Sequence, residues 1–94
     1  VAPVCPFEEE GEAIKRANDT EYGLAAYAYT GDVSRAMRLG EKLEAGTVGI
    51  NDAVPSTSIC PFGGMKQSGW GRELGSEGLD AFLETRHVSL GGVD

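Results

Sequence analysis

The stretch Asn51–Glu73, NDAVPSTSICPFGGMKQSGWGRE, constrains this chain more than any other. Its second half, Pro61–Glu73, holds Gly63, Gly64, Gly69 and Gly71. Each glycine gives up backbone entropy when it is fixed in a helix or strand, so a run this rich in glycine is expected as a loop. Such loops serve where the backbone turns tightly or passes close to another surface. The stretch is therefore expected to form one wall of a binding site whose other walls need not belong to this chain.

The residues before it alternate between strand and helix patterns. Val1–Phe7, VAPVCPF, is a short apolar run, and Pro3 and Pro6 confine such a strand to the edge or end of a sheet. Glu8, Glu9 and Glu10 put negative charge where a helix begins, with Lys15 and Arg16 near its other end. Ala13, Ile14 and Ala17 give that helix a narrow apolar face, and Asn18-Asp19 should stop it. Leu24–Thr30, LAAYAYT, is nearly uniformly apolar, as a buried parallel strand would be. Asp32 is a good N-cap for a second helix, whose apolar stripe is Val33, Ala36, Met37, Gly40 and Leu43, with Gly46 as its stop. On that stripe Met37 is expected in the core. Thr47–Ile50 follows as a third strand.

The order β-α-β-α-β, with crossovers long enough for parallel pairing, predicts an α/β fold with an open, mostly parallel sheet built from right-handed units. Glu73–Leu83 is expected as a short helix weakened by Gly75 and Gly78, and Thr85–Leu90 as a tail strand. Ligands of open α/β sheets sit beyond the carboxyl ends of the strands, which is where Asn51–Pro61 begins.

Composition removes several function classes. A net charge of −7 argues against a nucleic-acid partner, which would need a basic stripe. No apolar run approaches the ~20 residues of a membrane span. Cys5 and Cys60 match no metal-ligand spacing, and with His87 as the single histidine a zinc site would lack ligands. Two free thiols are expected in preference to a Cys5–Cys60 disulfide. The chain opens on Val1 without an initiator methionine, which suits a piece of something longer.

Three constellations invite chemistry. Gly69, Gly71 and Gly75 have the spacing G-x-G-x-x-x-G, which is not the dinucleotide fingerprint, and no strand leads directly into them. A loop packed against a larger body is the better account. Cys60 could be proposed as a nucleophile, but a reactive thiol needs an electropositive neighbour, and Ile59 and Pro61 supply none. Pro55-Ser56-Thr57-Ser58, read alone, is a turn.

The motif Pro61-Phe62-Gly63-Gly64-Met65-Lys66-Gln67-Ser68-Gly69, followed by Gly71-Arg72-Glu73, resembles the C-terminal signature of the NAD(P)-dependent aldehyde dehydrogenases. Asn18–Ala26, NDTEYGLAA, and Ala45–Asn51, AGTVGIN, fit the same family in the right order, and residues 51–61 are most similar to its succinate-semialdehyde dehydrogenase branch. Family chains are much longer, so the resemblance implies a C-terminal fragment: residues 1–84 from the catalytic domain and 85–94 as an oligomerisation tail strand. It implies oxidation of succinate semialdehyde, or a related aldehyde, to the acid with NAD or NADP. A cysteine thiolate would add to the aldehyde, hydride would leave for the cofactor, and water would release the product.

The nucleophilic cysteine, the general-base glutamate and the cofactor domain of the family lie upstream of these motifs. The resemblance therefore implies no catalytic, cofactor-binding or metal-binding residue here, and no activity for the 94-residue piece alone. What it carries over is substrate binding by Ser56, toward a distal carboxylate, and by Phe62, as an aromatic tunnel wall. Thr57 or Ser58 could replace Ser56 if Pro55 shifts the loop, and Phe62 could simply pack beneath the loop. It further implies a cytoplasmic homo-oligomer, dimer or tetramer, joined through the strand at 86–91, and an ion pair between Arg72 and Glu84, direct or bridged through a neighbouring chain. The alternatives are a fragment specific for another aldehyde and a free-standing acidic interaction domain without catalysis.

Overall fold

The computed structural model describes residues 1–93, so Asp94 of the expected tail lies outside the described residues. The chain is a small α/β piece with elements α1 (Glu10–Asn18), β1 (Tyr22–Gly23), β2 (Ala25–Ala28), α2 (Val33–Lys42), β3 (Thr47–Ile50), β4 (Met65–Lys66) and α3 (Glu77–Asp80). Helix α1 follows its charges: Glu10 and Glu12 occupy the first turn, Lys15 and Arg16 the last, and Arg16 pairs with Glu12 at 2.6 Å. It ends where the Asp19 N–H turns back to the carbonyls of Lys15 and Arg16. Helix α2 starts on Asp32, whose carboxylate accepts from the Arg35 N–H at 3.1 Å.

Helix α2 is the crossover between β2 and β3, which pair in parallel with Ala25 opposite Thr47, Ala26 opposite Val48, Tyr27 opposite Gly49 and Ala28 opposite Ile50. This is the expected strand–helix–strand unit. A second, antiparallel pair joins β1 to β4, with Tyr22 opposite Lys66 and Gly23 opposite Met65. That pair was not foreseen, because the glycine-rich stretch was expected as loop throughout.

Several expectations are corrected. Val1–Phe7 is exposed and forms no strand. Its prolines lack N–H donors, and among the described residues it is held by the Arg16 guanidinium, which donates to the Pro6 carbonyl at 3.0 Å. Thr85–Leu90 is likewise without regular structure, since among the described residues no strand lies against it. The sheet expected as β-α-β-α-β is thus two separate two-stranded ladders. The expected helix at 73–83 shortens to α3, with Leu74 and Gly75 in the left-handed region just before it.

Met37 is 62% exposed and Val33 is exposed beside it; Ala36, Leu39 and Leu43 are the half-buried apolar residues of this stretch. The apolar stripe of α2 is broader than the surface this chain offers it, so Met37 is not core here. Gly46 does not terminate α2, which stops at Lys42 with Leu43 as its C-cap. Its lack of a side chain serves another end: a Cβ on Gly46 would overlap the carbonyl oxygen of Gly63.

Burial is sparse. Ala45, 8% exposed, is the buried apolar residue of the described chain. The radius of gyration is 19.0 Å, against the roughly 12 Å of a compact domain of this length, and the extents are 72 × 28 × 23 Å. Large apolar side chains stand in the open, Trp70 at 100% and Phe82 at 87% among them. No described helix is long and apolar enough to cross a membrane.

Candidate functional site

The site is built where β3 ends. Asn51 has φ +55°, a left-handed conformation that asparagine tolerates better than most residues. Its backbone N–H continues the ladder to the Ala28 carbonyl at 2.8 Å. Its carboxamide spans the neighbouring strand end: Oδ1 accepts from the Thr30 N–H and Nδ2 donates to the Thr30 carbonyl, both at 2.8 Å. Asn51 thereby closes the carboxyl ends of β2 and β3 together and turns the chain out of the sheet. Asp52 then accepts from the Val54 N–H at 2.9 Å, an Asx turn that starts the loop.

The loop returns through Pro61–Gly64. Phe62 and Glu73 exchange two backbone hydrogen bonds, at 2.8 and 2.7 Å, and Gly75 donates to the Ser58 carbonyl at 3.1 Å. Arg72 spans the inside of the turn, its Nη1 donating to the carbonyls of Gly64 at 2.9 Å and Gly71 at 2.7 Å. Among the described residues it makes no ion pair, and the Arg72–Glu84 bridge is not formed within this chain. The loop carbonyls take up donors that Glu84 was expected to meet. Gly46 and Gly63 bring the two main chains into direct contact at the base of the loop.

Between these segments lies a cleft of about 250 Å³. Gly46 and Thr47 form one side; Pro55, Ser56, Thr57, Cys60, Pro61 and Phe62 form the other. The structure thus brings Ser56 and Phe62 into the wall of a single cleft, with Thr57 beside them. Its lining is uncharged and offers hydroxyl groups, one thiol and one aromatic ring. Cys60 is free and exposed, and Cys5 is free and exposed elsewhere. No group of three or more potential metal ligands occurs among the described residues.

The glycines do not make a dinucleotide cradle. Gly69 and Gly71, both at positive φ, flank Trp70 in a loop that follows antiparallel β4, and the next helix begins only at Glu77. None of the described residues is arranged to hold NAD or NADP.

A larger groove of about 500 Å³ runs between α1, β2 and α2, lined by Phe7, Ile14, Tyr27, Tyr29, Leu39 and Leu43. Glu10 sits at its rim and accepts from Arg38 through both carboxylate oxygens, at 2.7 and 2.8 Å, and from Arg35 at 3.2 Å. These bonds, that from Arg38 foremost, hold the Glu10 carboxyl down to about 2. The cluster ties α1 to α2, and none of Glu10, Arg35 and Arg38 lines the smaller cleft.

Two residues escaped the sequence reading. Asn51 closes the strand ends, and its signal was an asparagine immediately after a β-run. Lys66 of β4 reaches the Asn18 and Thr20 carbonyls and Glu44, and nothing in its neighbours' chemistry distinguished it from a surface lysine.

The family model for the aldehyde dehydrogenase family matches residues 1–88. The chain belongs to the aldehyde dehydrogenase family. A rice protein described as mitochondrial succinate-semialdehyde dehydrogenase is 48% identical over 94 residues, all of this chain and 18% of that protein. A Pseudomonas putida 3-sulfolactaldehyde dehydrogenase is also 48% identical over 94 residues, covering 19% of its length. Among solved structures, betaine aldehyde dehydrogenase from Staphylococcus aureus, in complex with NAD+, superposes with a TM-score of 0.84 at 51% identity, over 87% of this chain and 16% of that one. The family member described here therefore spans under a fifth of the length of these relatives.

Proposed function

We propose that this aldehyde dehydrogenase segment supplies one wall of the substrate pocket of an enzyme that oxidises succinate semialdehyde to the acid with NAD or NADP. The observation that carries the proposal is the meeting of Ser56 and Phe62 in one uncharged cleft beyond the carboxyl end of β3. A hydroxyl can rotate to donate to a distal carboxylate, and the Phe62 ring limits the width of the passage. The nucleophile, the base and the cofactor domain come from the rest of the longer protein, so the 94 residues alone are inactive.

The longer protein also accounts for what this piece leaves uncovered. In it, Val1–Phe7 and residues 86–91 act as strands, completing the mostly parallel β-α-β-α-β sheet and reaching a neighbouring subunit. Residues 1–84 belong to the catalytic domain and 85–94 to a tail that joins a cytoplasmic homo-oligomer. Exposed Val88 and Leu90 and the sparse core support this over a free-standing interaction domain.

The test is Ser56→Ala in the full-length enzyme. A hydrogen bond to a charged acceptor is worth roughly 1.5–3 kcal/mol, or about 10- to 150-fold in affinity. The carboxylate is remote from the reacting carbon, so the Michaelis constant for succinate semialdehyde should rise more than turnover falls. A neutral aldehyde of equal length should hardly respond. Equal losses on both would assign Ser56 to the turn. A second reading is favoured by the likeness to betaine aldehyde dehydrogenase, a name that implies a cationic substrate, which the Phe62 ring could face. Preference of the wild type for betaine aldehyde over succinate semialdehyde would select it.

A further inference from the structure

We propose that Lys66 is a positioning residue that sets the separation of the cleft walls, and so governs how well substrate is held. This rests on the pocket-wall reading above. Lys66 is the second residue of β4 and has φ +55°, a conformation unusual for a residue with a Cβ. The backbone around it is pinned on both sides: it lies opposite Tyr22, Gln67 donates to the Glu21 carbonyl at 2.8 Å, and the Gly23 N–H donates to Ser68 Oγ at 2.9 Å.

From that fixed point the ammonium reaches two segments at once, the turn after α1 and the stretch before β3. It donates to the Asn18 carbonyl at 2.9 Å and the Thr20 carbonyl at 3.3 Å, and it pairs with Glu44 Oε2 at 2.7 Å. Asn18 reinforces the same junction, its Nδ2 donating to the Lys42 carbonyl at 2.8 Å and its Oδ1 accepting from the Glu44 N–H at 2.9 Å. The Lys66 side chain is half-buried, so its three donors are directed rather than spread through solvent.

The placement of the two charged partners gives this network its consequence. Glu44 stands just before Gly46 and Thr47, which form one side of the cleft, and Lys66 stands four positions after Phe62, which ends the other. The segments that carry the two walls are therefore joined directly by the Lys66–Glu44 ion pair, and indirectly through Asn18, whose carbonyl accepts from Lys66 and whose Oδ1 accepts from the Glu44 N–H. Releasing the ammonium frees the Phe62 segment to move away from Gly46–Thr47, without removing any group that lines the cleft.

The test uses the full-length protein, comparing Lys66→Met with Lys66→Arg. Each is read by steady-state kinetics on succinate semialdehyde and by the rate at which iodoacetamide labels Cys60, resolved by peptide mass spectrometry with Cys5 as internal reference. Lys66→Met is expected to raise the Michaelis constant about tenfold, the factor that one hydrogen bond to a charged group carries, with a smaller fall in turnover. Labelling of Cys60, but not Cys5, should quicken. Lys66→Arg keeps the charge and donors and should recover part of both effects.

An unchanged Michaelis constant together with unchanged labelling in folded Lys66→Met overturns the proposal. So does a raised Michaelis constant without a labelling change, which would make Lys66 a substrate contact. Altered labelling alone, whether the Michaelis constant is unmoved or the wild type oxidises no aldehyde, keeps the positioning role and overturns the substrate-pocket reading. If Lys66→Met does not accumulate folded, Glu44→Gln removes only the ion pair and is read by the same two assays, with unchanged Cys60 labelling overturning the proposal.

Discussion

Replacing Asn51 separates two contributions that the structure combines in one residue. Asn51→Ala removes both carboxamide bonds to Thr30 and leaves a Cβ-bearing residue at φ +55° without local compensation. Each neutral hydrogen bond contributes about 1 kcal/mol, and these are exposed, so no further penalty for burying an unpaired group applies. The left-handed conformation adds about 1 kcal/mol for alanine. The sum, about 3 kcal/mol of local stability, corresponds to roughly 150-fold faster opening of the strand ends. Asn51→Gly relieves the backbone but loses the same bonds, so it should cost about 2 kcal/mol, or close to 30-fold. Asn51→Asp keeps the acceptor for the Thr30 N–H and loses the donor, and should fall between Gly and wild type.

Hydrogen exchange of the amide at position 51, whose bond to the Ala28 carbonyl every variant keeps, reads these differences directly when followed by mass spectrometry of the full-length protein under conditions of fast reclosing and scaled to the intrinsic rate of each residue. The order expected is Ala fastest, then Gly, then Asp, then wild type. Exchange in Asn51→Ala within threefold of wild type would refute the reasoning, because it would mean that the strand ends are held by something other than this carboxamide. Faster exchange in Gly than in Ala would refute the backbone part alone.

Gly46→Ala should be severe, since its Cβ would overlap the Gly63 carbonyl; a loss exceeding about 3 kcal/mol, seen as a sharp drop in soluble yield and melting temperature, is the expected outcome. Arg72→Met removes charged donors from the carbonyls of Gly64 and Gly71 and should cost roughly 1.5–3 kcal/mol, with earlier proteolysis within Pro61–Glu73 as the readout. Glu10 carries a lowered folded-state pKa of about 2 against an ordinary 4.5, so its stabilising contribution is complete above pH 4.5 and is lost as pH falls toward 2. The melting temperatures of wild type and Glu10→Gln should therefore differ at neutral pH and converge across that window. In the full-length protein, deleting the residues after Arg86 should give monomers or aggregates by light scattering, and an unchanged oligomer would remove the tail from the interface.

Local chemistry was legible in the sequence and long-range closure was not. Thr47–Ile50 and the Asp32 cap follow from a β-branched run and from a short acidic side chain before an amphipathic stretch, signals contained within a few residues. The β1–β4 pair has no such signal: its strands are two residues long, too short for periodicity, and Gly23 meets Ser68 across 45 positions. Val1–Phe7 and Thr85–Leu90 show the opposite failure. Their apolar pattern is that of strands, but a strand exists only against a partner, and none of the described residues supplies one. Ser56 and Phe62 became site candidates through the family motif; their composition alone described a turn and a core aromatic. The positive φ of Asn51 and Lys66 was out of reach, because backbone hand at a residue with a side chain is set by the tertiary contacts around it.

The crossing of Gly46 over Gly63 divides the cleft into a part that cannot vary and a part that can. Where two main chains touch with no room for a Cβ, almost any substitution disturbs the frame, so that side offers little through which specificity could be adjusted. The loop from Asp52 to Ile59 is exposed apart from half-buried Pro55, and its side chains can be exchanged without loosening the crossing beneath them. If the cleft is the substrate pocket proposed above, a library confined to these eight positions would sample new pocket chemistries on an unaltered base.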